Sequence, residues 1–159
     1  MNFNADEIFE MAIQIERNGE KFYRKAAEGI DDENTHQTLT ELADMEADHI
    51  KTFSDMRKGL SEKELEPTVF DPDNQAAMYL QAMADGYIFD LKVDLCEQLR
   101  ETETKEHVLK LALEAEKDSI VFYLGMKELV PARLGKDKIE TIIGQEMEHI
   151  TILTKKLRP

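Results

Sequence analysis

The chain has 159 residues, of which 34 are Asp or Glu and 20 are Lys or Arg, giving a formal charge of −14. So acidic a chain argues against nucleic acid or an anionic membrane as its partner. Its one cysteine, Cys96, excludes an intramolecular disulfide, and no apolar run reaches membrane-spanning length.

A composition of 42% hydrophobic and 34% charged residues, with seven Gly and no Trp, favours helices. The length is that of a single domain, 1–159, with room for a sizeable core. No signal-peptide pattern opens the sequence, so a soluble, cytoplasmic protein is expected.

In chain order, Asn4 and Glu7 form a capping box that opens a helix over about residues 5–28, closed by Gly29. Asp31 or Asp32 caps a second helix over about 32–58, with Gly59 as its stop. So short a connection makes the two antiparallel neighbours. Pro67 and Pro72 mark 60–72 as a linker, after which Asp73 caps a short helix at about 74–83. An amphipathic or irregular stretch runs on to about residue 100. A third long helix spans about 104–129, Pro131 and Gly135 mark a turn, and a fourth spans about 137–157. The predicted fold is all-α: two antiparallel helix pairs joined by one long, partly helical crossover, 60–103, rather than an up-down-up-down bundle. Apolar residues in the crossover, including Tyr79, Leu80, Met83, Tyr87, Phe89 and Leu95, must pack on something. That surface is either their own bundle or a second subunit, and a homodimer is expected.

The sequence repeats itself at an offset of one hundred residues. LADMEADHIKTF, with Glu46 and His49, returns as IIGQEMEHITIL, with Glu146 and His149. Ala12, Glu16, Phe22 and Tyr23 return as Ala112, Glu116, Phe122 and Tyr123. Residues three apart on a helix share a face, so each Glu-x-x-His can aim both side chains at one spot. The apolar pattern gives the direction. Leu39, Leu42, Glu46, His49 and Phe53 step by threes and fours, as do Ile139, Ile142, Glu146, His149 and Leu153. That is the buried seam of a bundle. Glu16 and Glu116 fall on the equivalent seams of their helices. A third Glu-x-x-His, Glu33 with His36, has Arg133 and Lys136 at the corresponding places and is read as a chance occurrence. His36 and His107 are expected at the surface, and Cys96 as a packed thiol.

Four carboxylates and two imidazoles in a core, with no Lys or Arg on the same seams, need compensation. An unpaired buried charge costs on the order of several kcal/mol. Two divalent metal ions would supply the compensation. One Glu from each of two helices plus Glu-x-x-His from each of two others is the ligand set of ferritin-like di-metal carboxylate proteins. Through all four long helices the chain resembles the ferritin-like superfamily and, within it, the rubrerythrin-related di-iron proteins. The resemblance implies Glu16, Glu46, His49, Glu116, Glu146 and His149 as metal ligands. Of these, Glu16 and Glu116 are the single glutamates, one bridging the metals or both terminal. Rubrerythrins carry a further glutamate where this chain has Ser119, and a rubredoxin-type iron centre on paired Cys-x-x-Cys motifs, which one cysteine cannot build. The likeness is therefore to relatives without the rubredoxin domain.

Tyr23 and Tyr123, seven residues beyond Glu16 and Glu116, are either core aromatics or hydrogen-bond donors to ligand carboxylates, as the resemblance implies. Gly19 and Ser119 either leave open volume beside the metals or let helices approach closely. The function implied is reduction of hydrogen peroxide or dioxygen at two iron ions, with manganese allowed by the ligands. Electrons would come from an external donor protein. A ferroxidase is the runner-up, although no fifth helix of the cage-forming kind follows the fourth. A non-catalytic binding protein stapled by its metals is the alternative from another class.

Overall fold

The computed structural model describes residues 4–61, 75–84, 95–100, 104–130 and 132–159. Among them every regular element is helical: α1 (Ala5–Glu28), α2 (Glu33–Lys58), α3 (Gln75–Ala84), α4 (Lys105–Leu129) and α5 (Lys136–Leu157). Short 3-10 turns lie at Leu95–Gln98 and Ala132–Leu134. The four long helices lie within a residue of their expected ends. The expected linker prolines, the Asp73 cap, Pro131 and the apolar residues Tyr87 and Phe89 fall outside the described residues.

Local chemistry sets the helix starts. Asn4 Oδ1 accepts from the Glu7 N–H at 2.8 Å, and the Glu7 carboxylate accepts from the Asn4 N–H at 3.0 Å. Of the two expected caps for α2, Asp32 is the one used, accepting from the Thr35 N–H at 2.9 Å. Thr104 does the same for α4, accepting from the His107 N–H at 3.2 Å. Each such cap contributes about 1 kcal/mol. Before α5 the chain reverses at Gly135, whose φ of 103° lies in the left-handed region that disfavours side chains.

α1 with α2, and α4 with α5, form the two hairpins, which meet along α1–α4 and α2–α5. Two apolar clusters fill the interior. One includes Phe9, Ala12, Phe53, Phe122, Tyr123 and Ile142; the other includes Leu109, Ala112, Leu153, Phe22, Tyr23 and Leu42. The hundred-residue offset carries each of these named residues of one cluster onto one of the other, so the sequence repeat is also a structural one. Polar seam residues lie in the belt between them.

The crossover packs on its own bundle where it is described. Leu80 is fully buried, and the Tyr79 hydroxyl donates to the Val121 carbonyl of α4. Gly125 permits this contact, because a Cβ there would come 2.5 Å from the Tyr79 ring. Among the described residues, no helix is long and apolar enough to cross a membrane.

Candidate metal centre

The seams that steer Leu and Phe inward at neighbouring turns steer the polar residues inward too. Glu16 from α1, Glu46 and His49 from α2, Glu116 from α4, and Glu146 and His149 from α5 are all at most 4% exposed. They converge as two groups whose ligand atoms lie within 4.8 Å of one another: Glu16, Glu46, His49 and Glu146, and Glu46, Glu116, Glu146 and His149. Glu46 and Glu146 belong to both. The two imidazoles stack, with centroids 5.7 Å apart and ring planes 18° from parallel.

Both histidines turn Nδ1 toward the carboxylates. His49 Nδ1 lies 2.8 Å from Glu146 Oε1 and 3.3 Å from oxygens of both Glu16 and Glu46. His149 Nδ1 lies 3.2 Å from Glu116 and 3.3 Å from Glu146. Each Nε2 points away from the cluster, toward a residue of the opposite half. His49 Nε2 meets Gln145 Oε1 at 3.0 Å, and His149 Nε2 meets Met45 Sδ at 3.2 Å.

The tyrosines also reach across to the opposite half. The Tyr23 hydroxyl donates to Glu116 Oε1, and the Tyr123 hydroxyl donates to Glu16 Oε1. The two readings of these residues are both met: each is a buried core aromatic, and each holds a carboxylate of the cluster.

The rubrerythrin family's sequence model matches residues 7–108 of this chain. The chain belongs to the rubrerythrin family. A crystal structure from Thermotoga maritima, described as that of a candidate ferritin-like diiron-carboxylate protein, matches with a TM-score of 0.78 and 30% sequence identity. That match covers 99% of this chain and 97% of the other. No curated protein matches. The family match takes in Glu16, Glu46 and His49, and the structural likeness extends over the second half, where Glu116, Glu146 and His149 repeat them.

Whether this rubrerythrin-family cluster suits metal ions can be judged from its unmet bonding. Glu46 Oε2 and both side-chain oxygens of Glu146 are buried without a hydrogen-bond partner. His49 Nδ1 is within ion-pair distance of two of these atoms, but the angles are not those of a hydrogen bond, and one N–H cannot serve three carboxylates. Orphaned carboxylate oxygens at such depth are costly, and those belonging to Glu46 and Glu146 sit where both groups overlap. The donor set is carboxylate and imidazole, in two overlapping sites, and it fits a pair of divalent ions.

In the absence of metal, protons take up part of that role. Burial, followed by the carboxylates of Glu16 and Glu146, pushes Glu46 well above the usual range. Burial and Glu146 push Glu116 up to about 8. Burial disfavours charge on His49, but Glu146 and Glu16 outweigh it and raise the ring to about 10. Burial likewise opposes charge on His149, but Glu116 and Glu146 raise it to about 9.

All six residues singled out from the repeat therefore come together. Glu33, His36 and His107 lie at the surface, away from the cluster, with His36 Nδ1 2.7 Å from the Ala27 carbonyl oxygen at the end of α1. Cys96 is buried in the second apolar cluster. Met45 and Gln145 are new. The repeat alignment sets them opposite each other, immediately before the ligand glutamates, and that register was the available signal. Ser119, standing where rubrerythrins carry a further glutamate, donates its hydroxyl to the Ala115 carbonyl at 2.9 Å. With Gly19 it lines a cavity beside the carboxylates, which decides for open volume over close helix approach.

Proposed function

We propose that this chain is a di-iron oxidoreductase that reduces hydrogen peroxide or dioxygen with electrons from a separate donor protein. The observation that carries this reading is the pair of Glu/His groups sharing Glu46 and Glu146, with a cavity alongside. Metal sites that only staple a fold are closed, whereas reactive ones keep an open flank.

In this reading Glu46 and Glu146 would be common to both irons, Glu16 and His49 would complete one site, and Glu116 and His149 the other. Carboxylates suit hard, highly charged iron, and imidazole suits it too. The family membership and the diiron-carboxylate description of the Thermotoga relative favour iron, while manganese accepts the same donors. When bound, the iron pair would supply electrons for cleavage of the O–O bond.

The chain's own residues do the rest. Tyr23 holds one oxygen of Glu116 and Tyr123 one oxygen of Glu16, and the other oxygen of each would be left for metal. The apolar clusters exclude water above and below, and the cavity admits the oxidant. Electrons come from a separate donor in this reading, and a chain of net charge −14, acidic at its surface even without the four buried glutamates, suits a donor with a basic face.

The test is to load the protein with iron(II) anaerobically and mix it with hydrogen peroxide or with air-saturated buffer, following ferric absorbance and peroxide consumption. Rapid reoxidation by one oxidant, repeated when a reductant is resupplied, supports the reading. Oxidation and retention of iron(II) far beyond the bound pair would point to a ferroxidase instead. Absence of reoxidation by either oxidant would leave a structural staple.

A further inference from the structure

The cavity beside the carboxylates has a volume of about 310 Å³. It lies between α1 and α4, where Ile15, Gly19 and Phe22 of one helix face Leu111, Ala115 and Ser119 of the other. Leu95 and Gln98 of the 3-10 turn complete the wall. It reaches the carboxylate cluster, since a Cβ added at Gly19 would stand 3.4 Å from Glu46 Oε1.

Two features of this space are unexplained by peroxide or dioxygen. The first is size. An apolar cavity of about 150 Å³ takes up benzene, so twice that volume accommodates roughly a dozen non-hydrogen atoms. Three small residues at the contact between the halves, Gly19, Ala115 and Ser119, keep it open. The second is charge. Among the described residues, five carboxylates line the cavity, from Glu16, Glu46, Glu114, Glu116 and Asp118, and no Lys, Arg or His does. The cluster accounts for three of them, and Glu114 pairs with Lys117 at 2.5 Å. Asp118 is left, half-buried at the wall.

We propose that this cavity binds a small organic amine, its apolar body held among Ile15, Phe22, Leu95 and Leu111 and its ammonium group on Asp118. In the metal-free protein an acid with the same body would meet carboxylates and, among the described lining residues, no cation. The proposal goes beyond peroxide reduction and does not depend on it, because the wall and its charge belong to the polypeptide.

Tryptamine, indole and indole-3-acetate share one apolar body and differ in charge, which makes them suitable probes. Each is titrated into the full-length, metal-loaded protein by calorimetry, and again after chelation of the metal. Tryptamine is expected to bind saturably, at least about tenfold more tightly than indole-3-acetate, with indole between, as a charge-assisted hydrogen bond would give. Asp118→Asn should reduce tryptamine to the level of indole. Ala115→Phe fills the space without removing a charge and should weaken both by about tenfold or more. Ser119→Leu fills it from the next turn and takes its place if Ala115→Phe does not fold.

Absence of saturable tryptamine binding overturns the proposal, as does acid binding as tight as amine binding in the chelated protein. So does unchanged tryptamine affinity in a folded, cavity-filled variant. Amine binding by protein whose bound iron neither peroxide nor dioxygen reoxidises would sustain this proposal and refute the redox reading. Peroxide turnover without amine binding would do the reverse.

Discussion

Met45 and Gln145 occupy the same place in the two halves, yet they offer different atoms to the histidines they touch. Gln145 presents an amide oxygen at 3.0 Å to His49 Nε2, and Met45 a thioether sulfur at 3.2 Å to His149 Nε2. With Nδ1 given to a metal ion, Nε2 would carry the proton and donate outward. An amide oxygen is a good acceptor and a thioether a weak one. A good acceptor on the far nitrogen fixes the tautomer and raises the basicity of the ligating one.

The two metal positions should therefore bind with unequal affinity, the His49 position more tightly. Met45→Gln should strengthen the weaker step and bring the two together, while Gln145→Met should weaken the stronger. The shift expected is about tenfold, the lower end of what such outer contacts contribute. Anaerobic titration with manganese(II), followed by electron paramagnetic resonance, resolves the two steps. Two equal steps in the natural protein, unmoved by either variant, would show that the acceptor does not matter here.

Because both groups share Glu46 and Glu146, removing a shared carboxylate differs from removing a private one. Glu46→Ala and Glu146→Ala should empty both positions of a site expected to hold about two ions per chain. Glu16→Ala should empty mainly the position on His49. Glu33→Ala and His36→Ala should leave the content unchanged, since both residues lie on the surface. Elemental analysis of each purified variant gives the answer. Equal losses for Glu16→Ala and Glu46→Ala would mean that the shared and private roles are misassigned.

The six-residue cluster was legible in the sequence because the hundred-residue offset repeats ligand type and seam position together. No single Glu-x-x-His could have carried that, as Glu33 and His36 show. Helical spacing tells which face a residue occupies on its own helix. It does not tell which residue of another helix it will meet. So spacing alone allows either that one of Glu16 and Glu116 bridges the metals or that both are terminal, whereas Glu46 and Glu146 are the carboxylates common to both groups. For the same reason the crossed contacts of Tyr23 with Glu116 and of Gln145 with His49 emerge only once the two hairpins face one another. The surface covered by the crossover was equally hidden until Gly125 and Tyr79 were seen in contact.

That contact is itself testable. Gly125→Ala would place a methyl group 2.5 Å from the Tyr79 ring, so α3 or the ring must shift. Overpacking of this kind typically costs about 1–3 kcal/mol, set against roughly 0.5–1 kcal/mol gained by replacing a mid-helix glycine with alanine. A net loss of stability is expected in chemical denaturation, and it should disappear in a Tyr79→Ala background. A stabilised single variant would show that α3 does not rest on α4 at this point in solution.

The protons held by the metal-free site give it a distinctive pH dependence. Glu116 rises from the ordinary glutamate value to about 8, His49 to about 10 and His149 to about 9. A group whose folded pKa is raised contributes stability that is complete below its unfolded pKa and lost as pH climbs through the folded one. For Glu116 that window runs from the usual carboxylate range to about 8; for the histidines it runs from the usual imidazole range to about 9 or 10. All three act in the same direction. Metal-free protein should therefore lose stability steadily from pH 5 to pH 10, by roughly 1.4 kcal/mol per pH unit for each proton displaced. Metal-loaded protein should stay nearly flat between pH 6 and pH 9, because ions have replaced those protons. Metal binding at pH 7 must then expel protons, and its heat should vary with the ionisation enthalpy of the buffer. Melting curves of chelated and loaded protein across this range, with calorimetry in two buffers, check both halves. A chelated protein that becomes more stable as pH rises, or a binding heat independent of buffer, would mean that the buried cluster is already deprotonated before metal arrives.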